Sequence, residues 1–205
     1  MVDDGSIYRT AEMVRKIAKR RSGVRLISYH QNRGKGFAVK RGFDEATGDV
    51  LMILDADMSV PPEELKRFFE IISKGKADFV NGTRMIYQME DQAMRNLHIF
   101  GNRIFGKIFS WLLGQRVTDT LCGTKALLKK DYKKIEMGKC RWGDFDLLFG
   151  AARLRLRMAE IPVHYRKRVA GESKMKTFRH GFFLLRMCFR GFWKLKVKGF
   201  FRTNA

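Results

Sequence analysis

Gly48-Asp49-Val50-Leu51-Met52-Ile53-Leu54-Asp55-Ala56-Asp57-Met58-Ser59-Val60-Pro61-Pro62-Glu63-Glu64-Leu65 is the stretch from which the fold follows. Five apolar residues in a row, Val50 to Leu54, show no alternation, as in a strand covered on both faces of an α/β sheet. Two carboxylates, Asp55 and Asp57, come directly after it, and Pro61-Pro62-Glu63-Glu64 sets proline and acids where a helix begins. Upstream, Gly36 to Ala46 reads as a helix stopped by Gly48, preceded by a short strand from Val24 to Tyr29. Before that, Ala11, Val14, Ile17 and Ala18 recur at helical spacing between Thr10 and Arg21. Downstream, the helix opened by Pro61 runs to Ser73 and the chain returns through Asp78-Phe79-Val80-Asn81. Repeated strand and helix predict an α/β domain with a mostly parallel sheet.

Residues 95 to 114 carry Leu97, Phe100, Ile104, Phe105, Ile108 and Leu112 and predict a long helix; 144 to 156 predict another, with irregular sequence between. Ile161, Val163 and Tyr165 alternate in a last strand from Met158 to Tyr165, where Pro162 marks an edge or an end. Val2-Asp3-Asp4-Gly5-Ser6 has the character of a strand's carboxyl end with almost no strand before it, so a first strand is expected to be missing. The folded domain is expected to span 1–174, with 175–205 as an appended tail.

The chain has 205 residues, of which 45% are hydrophobic, enough to bury a core. Lys plus Arg number 42 against 21 Asp plus Glu, a net charge of +21 that predicts a polyanionic partner: nucleic acid, anionic lipid or a phosphorylated substrate. Cys122, Cys140 and Cys188 are odd in number, with no C-x-x-C pair and no secretory leader, which predicts a reducing cytosol. The histidines at 30, 98, 164 and 180 are too dispersed to suggest zinc. No run approaches the ~20 apolar residues that cross a bilayer.

Ligands of open α/β sheets bind at the carboxyl ends of the strands, where Asp3-Asp4 and Asp55-Ala56-Asp57 both fall. Carboxylates at i and i+2 can share a hard divalent cation and leave positions for diphosphate oxygens. A single D-x-D is a weak signal. Asn32-Arg33-Gly34-Lys35-Gly36 is a turn opening a helix, where N–H groups and two cations can meet phosphate, although it is not a P-loop.

VDDGS, NRGKGFAVKRGF, GDVLMILDADMSVPPEEL, DFVNGTRM, DTLCGTKAL, EIPVHYRKR and GESK follow one another in that order. In this the chain resembles family 2 glycosyltransferases, and more narrowly the dolichyl- and polyprenyl-phosphate mannose and glucose synthases, from Val2 to about Lys174. The resemblance implies the GT-A nucleotide-sugar-binding fold and an N-terminally incomplete domain. It sets Val2 and Asp4 against the nucleotide base, and Asp55, Ala56 and Asp57 against ribose and a Mg²⁺ or Mn²⁺ ion. Asp55 and Asp57 are the implied metal ligands, Asp57 the firmer; Ser59 stands where some relatives add a glutamine. Arg84 is implied near the transferred or acceptor phosphate, and Arg168 and Lys174 on the donor diphosphate. Cys122 stands where serine is usual and is expected to pack rather than react. Asp146 is implied near the acceptor, to orient it or act as base, so that Asp57, Arg84 and Asp146 form the implied catalytic set; Asp144 is explained equally well as a helix cap.

The implied reaction is an inverting, metal-dependent transfer from a nucleoside diphosphate sugar, of the GDP-mannose or UDP-glucose type, to a polyprenyl phosphate at the cytoplasmic membrane face. A phosphate monoester, with its second pKa near ~6, is already a nucleophile at neutral pH and needs no base. The alternatives are a hydroxyl acceptor on a cell-wall glycan or lipid, and a basic nucleic-acid-binding module, for which no motif is seen. Residues 166–205 hold twelve Lys or Arg and one acid, Glu172. Phe178, Phe182, Leu185, Phe189 and Trp193 fall on one helical stripe beside Arg179, Arg186, Arg190 and Lys194. That pattern predicts a basic amphipathic helix lying on an anionic membrane surface, against the alternative of a helix packed on the domain.

Overall fold

The computed structural model describes residues 1–86, 96–166 and 177–197, apart from the side chains of 96–100, 102 and 177–180. Strand β1 (Val2–Asp4) pairs in parallel with β2 (Ile27–Tyr29), with helix α1 (Thr10–Arg20) as the crossover. Helix α2 (Lys35–Glu45) leads to β3 (Val50–Met52), and a 3-10 turn at Pro62–Glu64 runs into α3 (Leu65–Ser73). Then come β4 (Phe79–Thr83), α4 (Asn96–Leu113), β5 (Lys125–Leu128), the one-turn α5 (Lys129–Tyr132), α6 (Asp144–Arg153), β6 (Met158–Pro162) and α7 (Thr177–Phe192), which ends in a π-helical turn at Trp193–Val197.

The larger sheet has the order β3-β5-β4-β6, and β1-β2 forms a separate pair. Strand β6 is at the edge, where Pro162 costs no ladder bond. The sheet departs from the mostly parallel one expected: β4 and β6 are parallel, but β5 is antiparallel to both β3 and β4. The pattern between 114 and 144 concealed β5 because its first residue is a lysine, which weakens any strand signal. Lys125 can sit in the sheet because its charge is paired inside the protein.

Successive residues of the central strands face opposite layers. Phe79 and Leu127 pack with Phe109, Phe145, Phe149, Leu184 and Met187, while Val80 and Ala126 pack with Phe68, Ile72, Ile161 and Val163. Helix α3 therefore covers one face, and α4, α6 and α7 the other. This three-layer arrangement explains the unbroken apolar run at Val50–Leu54. The boundary expected at Lys174 falls outside the described residues; α7 beyond it docks on the domain through Leu184 and Met187.

Phe109 is fully buried, 5.0 Å from Phe145 and 6.2 Å from Phe149 between ring centroids. Phe109→Ala is expected to cost about 3–5 kcal/mol, as a buried aromatic leaving a cavity. Urea denaturation should show the loss as a lower midpoint with an unchanged slope.

Candidate active site

The carboxyl end of β3 opens into a turn in which the Met58 N–H donates to the Asp55 carbonyl at 3.3 Å. Met58 sits in the left-handed region at φ 54°, a conformation that costs a methionine energy. The turn presents Asp55 and Asp57, both part-exposed, on either side of exposed Ala56. Asp57 is oriented by Ser59, whose N–H and Oγ both donate to Asp57 Oδ1 at 3.0 and 2.8 Å. Ser59 thus supports the carboxylate.

Asp55 is met by a cation from another element. Lys35 Nζ reaches Asp55 Oδ1 and Oδ2, each at 2.8 Å. Burial opposes the charge on Lys35, but Asp144 and Asp55 outweigh it and raise its pKa above the ordinary lysine value. The turn before Lys35 is fixed by Asp4, which accepts the Arg33 and Gly34 N–H groups at 2.8 Å on its two carboxylate oxygens. Gly34 adopts φ 91°, open only to glycine without strain. The Gly36 N–H continues the clamp by donating to the Arg141 carbonyl at 2.7 Å. Val2, on β1, is half-buried beside Gly42 of α2.

The 118–125 segment closes the other side. Gly123 lies so near the Lys35–Asp55 pair that a Cβ there would overlap Asp55 Oδ2 and Lys35 Nζ. Behind it Lys125, fully buried, donates to Asp144 Oδ1 at 3.0 Å and to the Cys122 carbonyl. Cys122 is buried and its thiol is pushed up to about 11 by burial first, then by Asp119, so it is held neutral, in keeping with the packing role.

Arg84 is buried and bidentate to buried Asp119, with Nε to Oδ2 at 2.6 Å and Nη2 to Oδ1 at 2.8 Å. The guanidinium is therefore engaged in holding the 118–121 loop against the end of β4. Glu160 of β6 fixes the same loop by accepting the Thr118 N–H at 2.8 Å and the Asp119 N–H at 3.3 Å. Asp146 is buried with Oδ2 accepting the Lys139 and Cys140 N–H groups at 2.8 Å, so it shapes the loop that carries the Arg141 carbonyl. Burial raises its pKa, against those two N–H bonds.

Asp55, Ala56, Asp57, Lys35, Gly123 and Asp144 are thus brought to one locality, with Asp4, Arg84 and Asp146 fixing the loops around it. Arg168 and Lys174 lie outside the described residues; the chain leaves toward them from Arg166, whose N–H donates to the Ser59 carbonyl at 2.8 Å. A separate groove of about 710 Å³, lined by Tyr29, Arg33, Phe37 and Arg41 among others, borders the Asp4 turn and contains neither D-x-D carboxylate. Sequence reading missed the Lys35–Asp55, Arg84–Asp119 and Lys125–Asp144 pairs, whose members are 20, 35 and 19 residues apart. The NRGKG turn supplied the only hint of the first.

A model of the family described as glycosyl transferase family 2 matches residues 1–136. The chain is 33% identical over 178 residues to a dolichyl-phosphate hexose transferase of Haloferax volcanii, covering 87% of this chain and 74% of that protein. It is 30% identical over 216 residues to a dolichyl-phosphate beta-glucosyltransferase of Dictyostelium discoideum (96% and 64% covered). It is 32% identical over 176 residues to an undecaprenyl-phosphate 4-deoxy-4-formamido-L-arabinose transferase of Edwardsiella ictaluri (85% and 51%). The chain thus spans from about half to three quarters of the length of these relatives. Among solved structures, glucosyl-3-phosphoglycerate synthase from Mycobacterium tuberculosis, in complex with Mn²⁺ and UDP-glucose, matches with a TM-score of 0.65 at 18% identity, covering 95% of this chain and 66% of that one. Mannosyl-3-phosphoglycerate synthase from Rubrobacter xylanophilus matches with a TM-score of 0.64 at 17% identity (93% and 62%). At these identities the two structures establish a shared fold.

Arg84→Met would leave buried Asp119 without its cation, a change expected to cost about 3–5 kcal/mol. Burial pushes the Asp119 pKa up, but Arg84 reverses this and holds it below the usual 3.8. The wild type therefore gains stability from Asp119 above that usual value and loses it as pH falls through the lower folded-state value. In the variant burial dominates and the sign inverts, so its deficit should narrow on acidification. Urea midpoints measured between neutral and mildly acidic pH check both the size and the direction.

Proposed function

The chain belongs to glycosyl transferase family 2, and from that premise we propose that it transfers a sugar from a nucleoside diphosphate donor to a polyprenyl phosphate at the cytoplasmic face of a membrane. The observation that carries the reading is the D-x-D turn at the end of β3, ringed by Lys35, Gly123 and the 118–125 segment. Asp57 and Asp55 are proposed to hold a Mg²⁺ or Mn²⁺ ion. The donor set suits a hard cation, and Asp55 already accepts a cation, the Lys35 ammonium, on both oxygens. Among the described residues no group of three or more His, Cys, Asp or Glu converges, and the remaining ligand positions are proposed to go to diphosphate oxygens and water. When bound, the ion would neutralise charge developing on the departing diphosphate.

Within this reading, Val2, Asp4 and Ala56 belong to the nucleotide side, and Arg168 and Lys174 to the diphosphate. Arg84 and Asp146 are proposed as positioning residues, since their polar atoms hold loops around the site. A phosphate acceptor agrees with how the nearby carboxylates are used. Asp144 is paired with Lys125, Asp146 holds two backbone N–H groups, and Asp119 is spent on Arg84. An already ionised phosphate oxygen attacks without a base. The donor type, GDP-mannose or UDP-glucose, is left to binding measurements.

A membrane location is supported by α7. Leu184 and Met187 face the core, while Phe182 and Phe189, each 73% exposed, Leu185 and Trp193 face outward. Trp111 of α4 extends this apolar surface, stacked on Phe192 at 6.1 Å and capped by the Lys196 ammonium at 5.1 Å. Arg186 is exposed beside it, as in helices that lie in the headgroup region, whereas Arg190 and Lys194 turn to the domain, Arg190 donating to the Lys139 carbonyl at 2.7 Å and Lys194 lying 3.9 Å from Glu136. Among the described residues no helix is long and apolar enough to cross a membrane.

Asp57→Asn is expected to weaken Mn²⁺-dependent binding of UDP or GDP by at least about tenfold, the loss of a charged contact worth roughly 1.5–3 kcal/mol, with the melting temperature preserved. Unchanged affinity in calorimetry would put the donor elsewhere. Replacing Phe182, Leu185 and Phe189 together by serine should release the protein from anionic vesicles without unfolding it, because these side chains are exposed. Co-sedimentation at low and high salt checks this, and retention equal to wild type would remove α7 as the contact.

A further inference from the structure

The sequence marks Lys35 only as a cation of the NRGKG turn that can meet phosphate, yet in the structure it occupies the first D-x-D carboxylate. Its ammonium touches both Asp55 oxygens at 2.8 Å. The pair is built in closely: Gly123 leaves no space for a side chain against it, and Asp4 and the Arg141 carbonyl fix the backbone on either side of Lys35. We propose that Lys35 is a resident counter-cation that competes with the divalent ion for Asp55, so that the ion is held well only when it arrives with a diphosphate. This rests on the donor-site reading given above.

The charge arithmetic supports it. Asp55 and Asp57 alone would present two negative charges and attract a free divalent cation. With Lys35 against Asp55 the local charge is reduced by one, and the ion meets a carboxylate whose oxygens are already occupied. A diphosphate restores the negative charge from the ligand's side. Metal and nucleotide then bind as a coupled pair, and by reciprocity each strengthens the other by the same factor. Lys35 therefore acts on the metal through Asp55 as a positioning residue.

The test measures that coupling directly. The full chain is titrated with Mn²⁺ alone, following the resonance signal of the free ion, and again at saturating UDP and at saturating GDP. Lys35→Met should bind Mn²⁺ alone about two- to fivefold more tightly than wild type, as expected for removing one part-exposed ion pair. The tightening caused by nucleotide should shrink by a similar factor. Lys35→Arg keeps the charge and should resemble wild type, whereas Lys40→Met, on the same helix but paired with Asp44, controls for net charge. Lys35→Gln repeats the measurement if the methionine variant does not fold. Unchanged Mn²⁺ affinity in Lys35→Met, or a nucleotide-induced tightening equal to wild type, overturns the proposal. If wild type binds Mn²⁺ neither alone nor with either nucleotide, the donor-site reading itself falls and takes this inference with it.

Discussion

One buried ion pair holds the parts of this site in register. Lys125 has no exposed side-chain surface, and an unpaired ammonium there would carry a desolvation penalty of several kcal/mol. Asp144 and the Cys122 carbonyl offset it, and in doing so tie β5, the antiparallel strand inside the sheet, to the first turn of α6. The loop before that turn is shaped by Asp146 and offers the Arg141 carbonyl to Gly36. Lys35, one residue earlier, is thereby aimed at Asp55. The D-x-D turn is positioned from within the core as much as by the strand that carries it.

Much of this was legible along the chain where the signal is local. The run Val50–Leu54, the D-x-D turn and the Pro62 helix start each depend on neighbours within a few residues and fall where expected, although the strand in the run ends at Met52; the last strand starts at Met158 as expected but ends at Pro162, short of Val163 and Tyr165. Strand β5 was not legible, since nothing within 125–128 reveals that the lysine opening it will find a carboxylate 19 residues away. Arg84 was singled out as a charge that touches substrate, but its partner Asp119 is 35 residues distant, and sequence gives the cation without the pairing. Pairings of this kind arise from topology, which sets the ends of β4 and β6 around one loop.

Helix α7 shows how two opposed expectations can share one element. Phe182, Leu185, Phe189 and Trp193 keep the helical spacing of a stripe, yet they are the face turned outward. The core contact comes from Leu184 and Met187, with Phe183 against Trp142 at 4.5 Å. A helix that is apolar on two sides cannot satisfy both in water: docking one face on the domain fixes the other at the surface, where rings of this size in one patch mark a site of contact. Under the proposed reading, exposed Arg186 and the Lys196 ammonium over Trp111 suit that patch to an anionic interface.

The same excess of positive charge bears on the chemistry. In a site acting on a hydroxyl, one carboxylate must remain available and basic beside the reacting oxygen. Here Asp119, Asp144 and Asp146 are each committed to a cation or to backbone N–H groups, and the commitments are structural, since releasing any one of them would leave a buried charge or a buried donor without its partner. Freeing any of these three as a base would therefore loosen the loops that define the site. Under the proposed reading, an acceptor that brings its own negative oxygen avoids that conflict, because an already ionised phosphate attacks without a base.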